Sequence, residues 1–291
     1  MSGTADAAGW RFVLQRRYLG YLAVAVLFAI GCGFLSHWQF SRNAEAVAEV
    51  ERIQANYDRD PQPISAVLPA LDSYSDDVKW TPVEVTGSYL VEDQLLVRNR
   101  PYNGNPGFEV LVPLLTDDGS VFIVDRGWVP SGDTQDAPDA VPAAPSGRVT
   151  VVARVKAGEP EIAGRSAPAG EIPTIELDDI AAMIDLPTYT GAYGLLASED
   201  PAPATRPLAA EEPTLDTGPY LSYAIQWIAF AAFGFFFLGY VVWNERRLRR
   251  EAAEEAGEIE PRPPRRPRRP RRRTDAEIED ELLDAGGVLR R

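Results

Sequence analysis

Two stretches of this chain contain no Lys, Arg, Asp or Glu: Tyr18 to Leu35, YLGYLAVAVLFAIGCGFL, and Tyr220 to Trp243, YLSYAIQWIAFAAFGFFFLGYVVW. A helix rises about 1.5 Å per residue, so about 20 apolar residues cross ~30 Å of hydrocarbon. The second run spans outright, and the first spans if Ser36 to Phe40 share the interface. The first run could instead be a signal peptide, but SHWQFSR after it is not a small-residue cleavage site. Arg11, Arg16 and Arg17 precede the first run, while Arg246, Arg247, Arg249 and Arg250 follow the second. Positive charge flanking spans stays inside, so both termini are expected in the cytoplasm and the intervening segment outside.

That segment holds most of the acid. The chain's net charge is −14, and Arg42 to Thr217 carries more than twice as many acidic as basic side chains. Such a surface repels phosphates, so nucleic acid is excluded as a partner, while a lipid bilayer is required. The single cysteine, Cys32, lies in the first run, so no intramolecular disulfide can staple the outer domain. It must fold by its own core.

The expected organisation is an α+β membrane protein: a hairpin of two transmembrane helices flanking an extracytoplasmic, antiparallel β-rich domain, sandwich or barrel-like. Residues 1–17 form a cytoplasmic N-terminus and 18–40 the first transmembrane helix. Val47, Val50 and Ile53 at helical spacing continue that helix as a stalk over 41–75, ended by Pro61 and Pro63, with ISAVLPALDSY adding one or two turns. The period changes at Lys79. KWTPVEVTGSYL, QLLVRNR, GFEVLVPLL, SVFIVDRGW and GRVTVVARV are short and β-branched, and define a β-rich domain over 76–198. Several are apolar on both faces, as strands covered on two sides are. Asp118-Gly119 reads as a tight hairpin turn, and PTIELDDIAAMIDLP as a strand entering a short helix capped by Asp178 or Asp179. Residues 199–218 are too rich in Pro and acid to pack and read as a linker. The second transmembrane helix is 219–243, and 244–291 is a disordered basic and acidic tail. Within the tail, PRPPRRPRRPRRR suits anionic lipid or a docking partner, and Thr274 and Glu277 have capping-box spacing.

The outer segment has no His and no Cys, so neither a Ser-His-Asp nor a Cys-His nucleophile can form there, nor a His/Cys zinc site. No phosphate or dinucleotide loop occurs. A carboxylate-pair hydrolase would need two converging acids, which spacing alone does not identify. The expectation is a protein that is not an enzyme. Positive signals lie at the outer ends of the spans, SHWQFSR and PYLSYAIQW, which can meet. Trp38 stands one turn from Arg42, a cation–π spacing. Tyr220, Tyr223 and Trp227 share one side of the second helix; Trp38, Tyr220 and Trp227 suit interfacial anchoring. Gln226 lies ~9 Å deeper than Tyr220, where an amide needs a partner such as the facing helix. His37, the only imidazole, is either a solvated interface residue or an iron ligand.

HWQFSR after the first run, RNRPYNGNPGFEVLVPLL with DGSVFIVDRGWVP in the β domain, and YLSYAIQWIAF at the second run resemble the surfeit locus protein one family, from about Leu35 to Trp243. The resemblance implies a non-enzymatic assembly factor for haem-copper cytochrome c oxidase in the bacterial inner, or plasma, membrane. It would help haem a insertion or stabilise the catalytic subunit during maturation, with oxidase subunits and haem-supply proteins as partners. Carried over residue by residue, its motifs fall on Trp38, Gln39 and Arg42, on Arg126, Gly127 and Trp128, and on Leu221, Tyr223, Gln226 and Trp227. Arg126, two residues before Trp128, should share its strand face, in the simplest case as a structural ion pair. Many relatives place a His, the suggested haem ligand, where this chain has Tyr220; a tyrosine phenolate can ligate ferric haem, and His37, at similar depth on the other helix, is placed to substitute, so Tyr220 and His37 are the two candidate haem contacts. A different class of reading is an extracytoplasmic ligand-binding or sensor module that signals through the hairpin to the basic tail.

Overall fold

Apolar runs become helices here because nothing in them interrupts the backbone ladder. The computed structural model describes residues 10–257. Helix α1 (Arg16–Asn56) follows a 3-10 turn at Arg11–Leu14, and both α1 and α4 (Tyr220–Glu255) are long and apolar enough to cross a membrane. Residues up to Gly33 with those from Ile228 form one compact unit, and Phe34–Trp227 another.

In the first unit, Phe12 and Tyr18 are buried and meet edge to face at 5.3 Å. The guanidinium of Arg246 lies 4.1 Å from the Trp10 ring centre and that of Arg249 4.9 Å from Phe12. Gly234 admits the Phe28 ring. Helix α4 continues past Trp243 to Glu255, held by pairs four residues apart, Arg249 with Glu245, Arg247 with Glu251 and Arg250 with Glu254. The first residues of the segment expected as a disordered tail, up to Glu255, are thus helical, because Arg and Glu at this spacing favour helix. The Arg/Pro run and the capping-box segment lie outside the described residues.

In the second unit, α1 ends on the β domain as the stalk expected from its periodicity. Glu49 accepts from Lys79 Nζ at 2.6 Å and Trp80 Nε1 at 2.9 Å, and Asn56 Nδ2 donates to the carbonyls of Asp77 and Lys79. After β1 (Gln62–Pro63) and the single turn α2 (Ile64–Val67) come β2 (Pro82–Tyr89), β3 (Leu95–Val97), β4 (Gly107–Thr116), β5 (Val121–Pro130), β6 (Arg148–Ala157), β7 (Glu171–Ile172), α3 (Leu177–Ile184) and β8 (Ala192–Asp200). Strands β2, β6, β8, β5 and β4 close into a five-stranded barrel through the β2–β4 pairing. All five contacts are antiparallel except β5–β8. Of the two expected architectures the chain adopts the barrel, with one parallel seam.

Alternation explains the two-sided apolar strands. Val83, Val85, Val110, Val112, Leu114, Phe122, Val124, Val151 and Val155 fill the interior. Leu111, Val121, Ile123, Tyr193 and Leu195 face outward beneath a second layer from Ile53, Val97, Ile172, Ile175, Leu177 and Ile180. Each such burial contributes roughly 1.5–3 kcal/mol, enough for a disulfide-free domain. The β4–β5 hairpin has a three-residue loop in which Gly119 alone is left-handed, at φ 84°, and Thr116 and Ser120 close it. The cap of α3 is Glu176, whose carboxylate accepts the Asp179 amide at 2.6 Å; Asp178 and Asp179 occupy the first turn instead.

Candidate functional site

Two places gather the residues singled out from sequence. The first is where α1 and α4 meet. Ser36 Oγ donates to the Ala224 carbonyl at 3.0 Å, with both residues buried, so a small hydroxyl against a methyl sets the helix contact. Gln226, expected to make that interhelical bond, is exposed instead. Gln39 Oε1 is buried without a hydrogen-bond partner among the described residues. His37 is exposed, Trp38 is 56% exposed and Tyr223 47%. Arg42 lies over the Tyr220 ring, 5.8 Å from its centre, and pairs with Glu45 at 2.7 Å. The aromatic partner of Arg42 is thus across the hairpin and not Trp38 on its own helix. Trp227 is half-buried.

The second place is the Asp125-Arg126-Gly127-Trp128 stretch of β5. Glu109 pairs with Trp128 but Leu111 with Asp125, so Arg126 and Gly127 together oppose Val110 in a β-bulge. The extra residue reverses the alternation. Arg126 enters the barrel while Trp128 faces outward, which corrects the same-face expectation. Inside, Arg126 is 1% exposed; its Nη2 donates to Glu199 Oε1 at 2.8 Å and its Nη1 to the Pro142 carbonyl at 3.1 Å. Tyr89 Oη donates to the same carboxylate at 2.9 Å. Burial and the Glu199 charge together push the Tyr89 phenol far up. The expected structural ion pair exists, with its acid 73 residues away on β8.

Gly127 takes φ 122°, and a Cβ there would lie 2.1 Å from the Leu208 carbonyl oxygen. This close approach lets Trp128 and Leu208 exchange backbone hydrogen bonds at 2.7 and 2.8 Å. The 199–218 segment is therefore not a free linker. Glu199 and Asp200 belong to β8, and the chain beyond docks at Leu208 as a strap.

Beneath the strap, on the outer wall, lies a cleft of about 270 Å³ lined by Trp80, Tyr102, Trp128, Asp125, Lys156 and Glu211, among others. Trp128 stacks on Tyr102 at 5.2 Å and its Nε1 donates to the Arg100 carbonyl at 2.7 Å. Arg100 bridges Glu159 and Glu109; its Nε stands 2.9 Å from Glu109 Oε2, too poorly aligned for a hydrogen bond. Glu159 also accepts Thr174 Oγ1 and the Ile175 amide. Burial raises the Glu159 carboxyl, but Arg100 and these donors outweigh it, and the net shift is downward. Asp125 behaves oppositely: burial first, and then the Glu109 charge, lift its carboxyl well above the usual range. Glu109 is also raised, by burial against the pull of Arg100. Burial likewise raises the Tyr193 phenol. Two converging acids, Glu109 and Asp125, thus exist. Asp125, Glu109, Lys156 and Tyr193 were not singled out from sequence, although strict alternation would have put Asp125 on the face opposite Arg126.

Two apolar helices and, between them in sequence, a small closed barrel with a bulged Arg-Gly strand define a membrane-associated protein class built on one β domain. Within that class, the chain belongs to the SURF1 family, which it matches over residues 26–232. Uncharacterised SURF1-like proteins of Mycobacterium bovis and of two strains of Mycobacterium tuberculosis are each 34% identical to it over 244 residues, covering 82% of this chain and 88% of theirs. The family is generally linked to cytochrome oxidase assembly and is not known for enzymes.

Proposed function

We propose that this protein is a non-enzymatic assembly factor for haem-copper cytochrome c oxidase, acting in the bacterial plasma membrane as a two-span protein with both termini in the cytoplasm. Family membership over residues 26–232 carries this reading. The helix ends add support. Gln39 holds a buried amide oxygen without a partner among the described residues and Gln226 an exposed amide, in segments where lipid satisfies neither. A helix of the oxidase catalytic subunit or of a haem-supply protein would supply the bond that the exposed Gln226 amide needs. An apolar groove between α1 and α4, lined by Tyr21, Val24, Phe28, Gly234, Phe237 and Val241, offers further intramembrane surface.

In this account haem a is cargo. His37 is an exposed imidazole one residue from the Ser36 contact, and Tyr220 is the phenol held by Arg42. These are the donors that would meet haem iron. The test is a reduced-minus-oxidised spectrum of membranes from a deletion strain, complemented with the wild-type gene or with His37→Ala. A haem a signal that falls on deletion, returns with wild type and fails to return with His37→Ala supports both the assembly role and His37. A signal unchanged by deletion removes the proposal. Full rescue by His37→Ala removes His37 alone.

A further inference from the structure

The cleft under the strap combines aromatic sides with an acidic floor. Trp128, stacked on Tyr102, forms one side and Trp80 another. Asp125 is 1% exposed; its Oδ1 accepts the Gly127 amide at 2.9 Å, and its Oδ2 has no hydrogen-bond partner among the described residues. A buried carboxylate oxygen without a donor is costly, so such an atom facing a cleft invites one. Arg100 is committed to Glu109 and Glu159. Lys156 is half-buried, 5.9 Å from the Tyr193 ring centre, and pairs with no carboxylate among the described residues. Glu211, brought by the strap, adds a third acid to Asp125 and Glu109 at the lining.

The geometry points to a binding site for a primary alkylammonium group, carried by a lysine side chain or an aminolipid headgroup, which donates to Asp125 Oδ2 between the indole of Trp80 and that of Trp128. A cation gains from the aromatic faces as well as from the carboxylates. At about 270 Å³ the cleft is near the small end of ligand sites, suited to one side-chain-sized group. Burial, and then the Glu109 charge, raise the Asp125 carboxyl by more than Lys156 and Arg100 offset, which leaves this acid short of positive charge. Lys156 is the residue by which experiment separates this site from one for anions: as a neighbouring positive charge it opposes an ammonium and would assist a carboxylate.

The test is a titration of detergent-solubilised full-length protein with butylammonium chloride at constant ionic strength, following the indole N–H resonances of Trp80 and Trp128, with sodium butyrate as the contrast. Butylammonium should shift both resonances saturably and butyrate should not. Asp125→Asn should weaken the apparent affinity about tenfold or more, through loss of a charge-assisted hydrogen bond. Lys156→Met should tighten it, by about threefold or more, by removing a like charge. If Asp125→Asn does not fold, the sign of the Lys156→Met effect decides the matter. No saturable shift, saturable binding of butyrate in its place, or a Lys156→Met variant that weakens butylammonium overturns the proposal. Nα-acetyl-lysine amide and phosphoethanolamine, titrated separately, distinguish a peptide from a lipid source. Binding of either supports the site, and failure of both overturns it.

Discussion

Arg126 shows how a motif residue can belong to the core. A guanidinium inside a barrel of valines is tolerated only because Glu199, Tyr89 and the Pro142 carbonyl satisfy it. Arg126→Met leaves the Glu199 carboxylate buried and unpaired, and should destabilise the protein by ~3–5 kcal/mol. Arg126→Met with Glu199→Met should recover most of that loss, because two apolar groups replace the pair; thermal melts of the four proteins measure the coupling. Asp125 has the opposite problem. Its ordinary value is 3.8, and the fold raises it well above that. The folded state therefore keeps a proton that the unfolded chain has released. Its contribution is fully present below about pH 3.8, declines as pH rises through the window, and levels off above the raised value. Asp125→Asn should be less stable than or equal to wild type in acid and gain on it steadily toward neutral pH. Melts of both proteins over that range check the sign, and a constant difference would contradict it. Arg126 was legible as an ion-paired residue. Its face was not, since strict alternation was read through the bulge, although Gly127 within the strand pattern is the residue that marks one.

Strand β8 joins β6 to β5 through the barrel's parallel seam and is the element that pattern reading undervalued. Its last residues, Ser198, Glu199 and Asp200, look like the start of a polar linker. Glu199 is buried only because Arg126 comes from β5 to meet it, a tertiary fact with no local signal. The strap has the same character, since its backbone docks on Trp128 through Leu208 and sequence says nothing of that contact. Strands β2, β4, β5 and β6, by contrast, were legible from β-branched alternation, and α1 from its uncharged run and its Val47, Val50 and Ile53 stripe. Gly127→Ala tests the strap directly. A methyl 2.1 Å from the Leu208 oxygen, at φ 122°, forces the strap away and costs on the order of 1–3 kcal/mol of strain. Limited proteolysis should cut 201–218 faster in the variant while the barrel strands stay protected; equal cleavage rates would contradict the docking role. The stalk clamp titrates at this scale too. Burial raises Glu49, but Lys79, Trp80 and Arg52 outweigh it and the net shift is downward. Its stabilisation is present above its ordinary 4.5 and lost as pH falls through the lowered value, so Glu49→Gln should narrow the gap to wild type in acid.

At the scale of the whole chain, two apolar helices, an acid-rich segment between them and a β domain without a disulfide were legible from charge distribution, strand pattern and cysteine usage, whereas the choice of a barrel over a sandwich was not. The partner was not, because an exposed amide on an apolar helix, such as Gln226, records that a bond is needed and not who makes it. The assembly role can be separated from signalling by truncation. Removing residues 261–291 should leave complementation of a deletion strain intact if the spans and barrel do the work, whereas a sensor acting through the tail would fail. The most direct measurement is cytochrome c oxidase activity in membranes of an aerobically grown deletion strain, with transcripts of the oxidase subunits quantified in the same cells. The account predicts reduced activity with unchanged transcripts, restored by the full-length gene. Oxidase activity equal to wild type after deletion would contradict it.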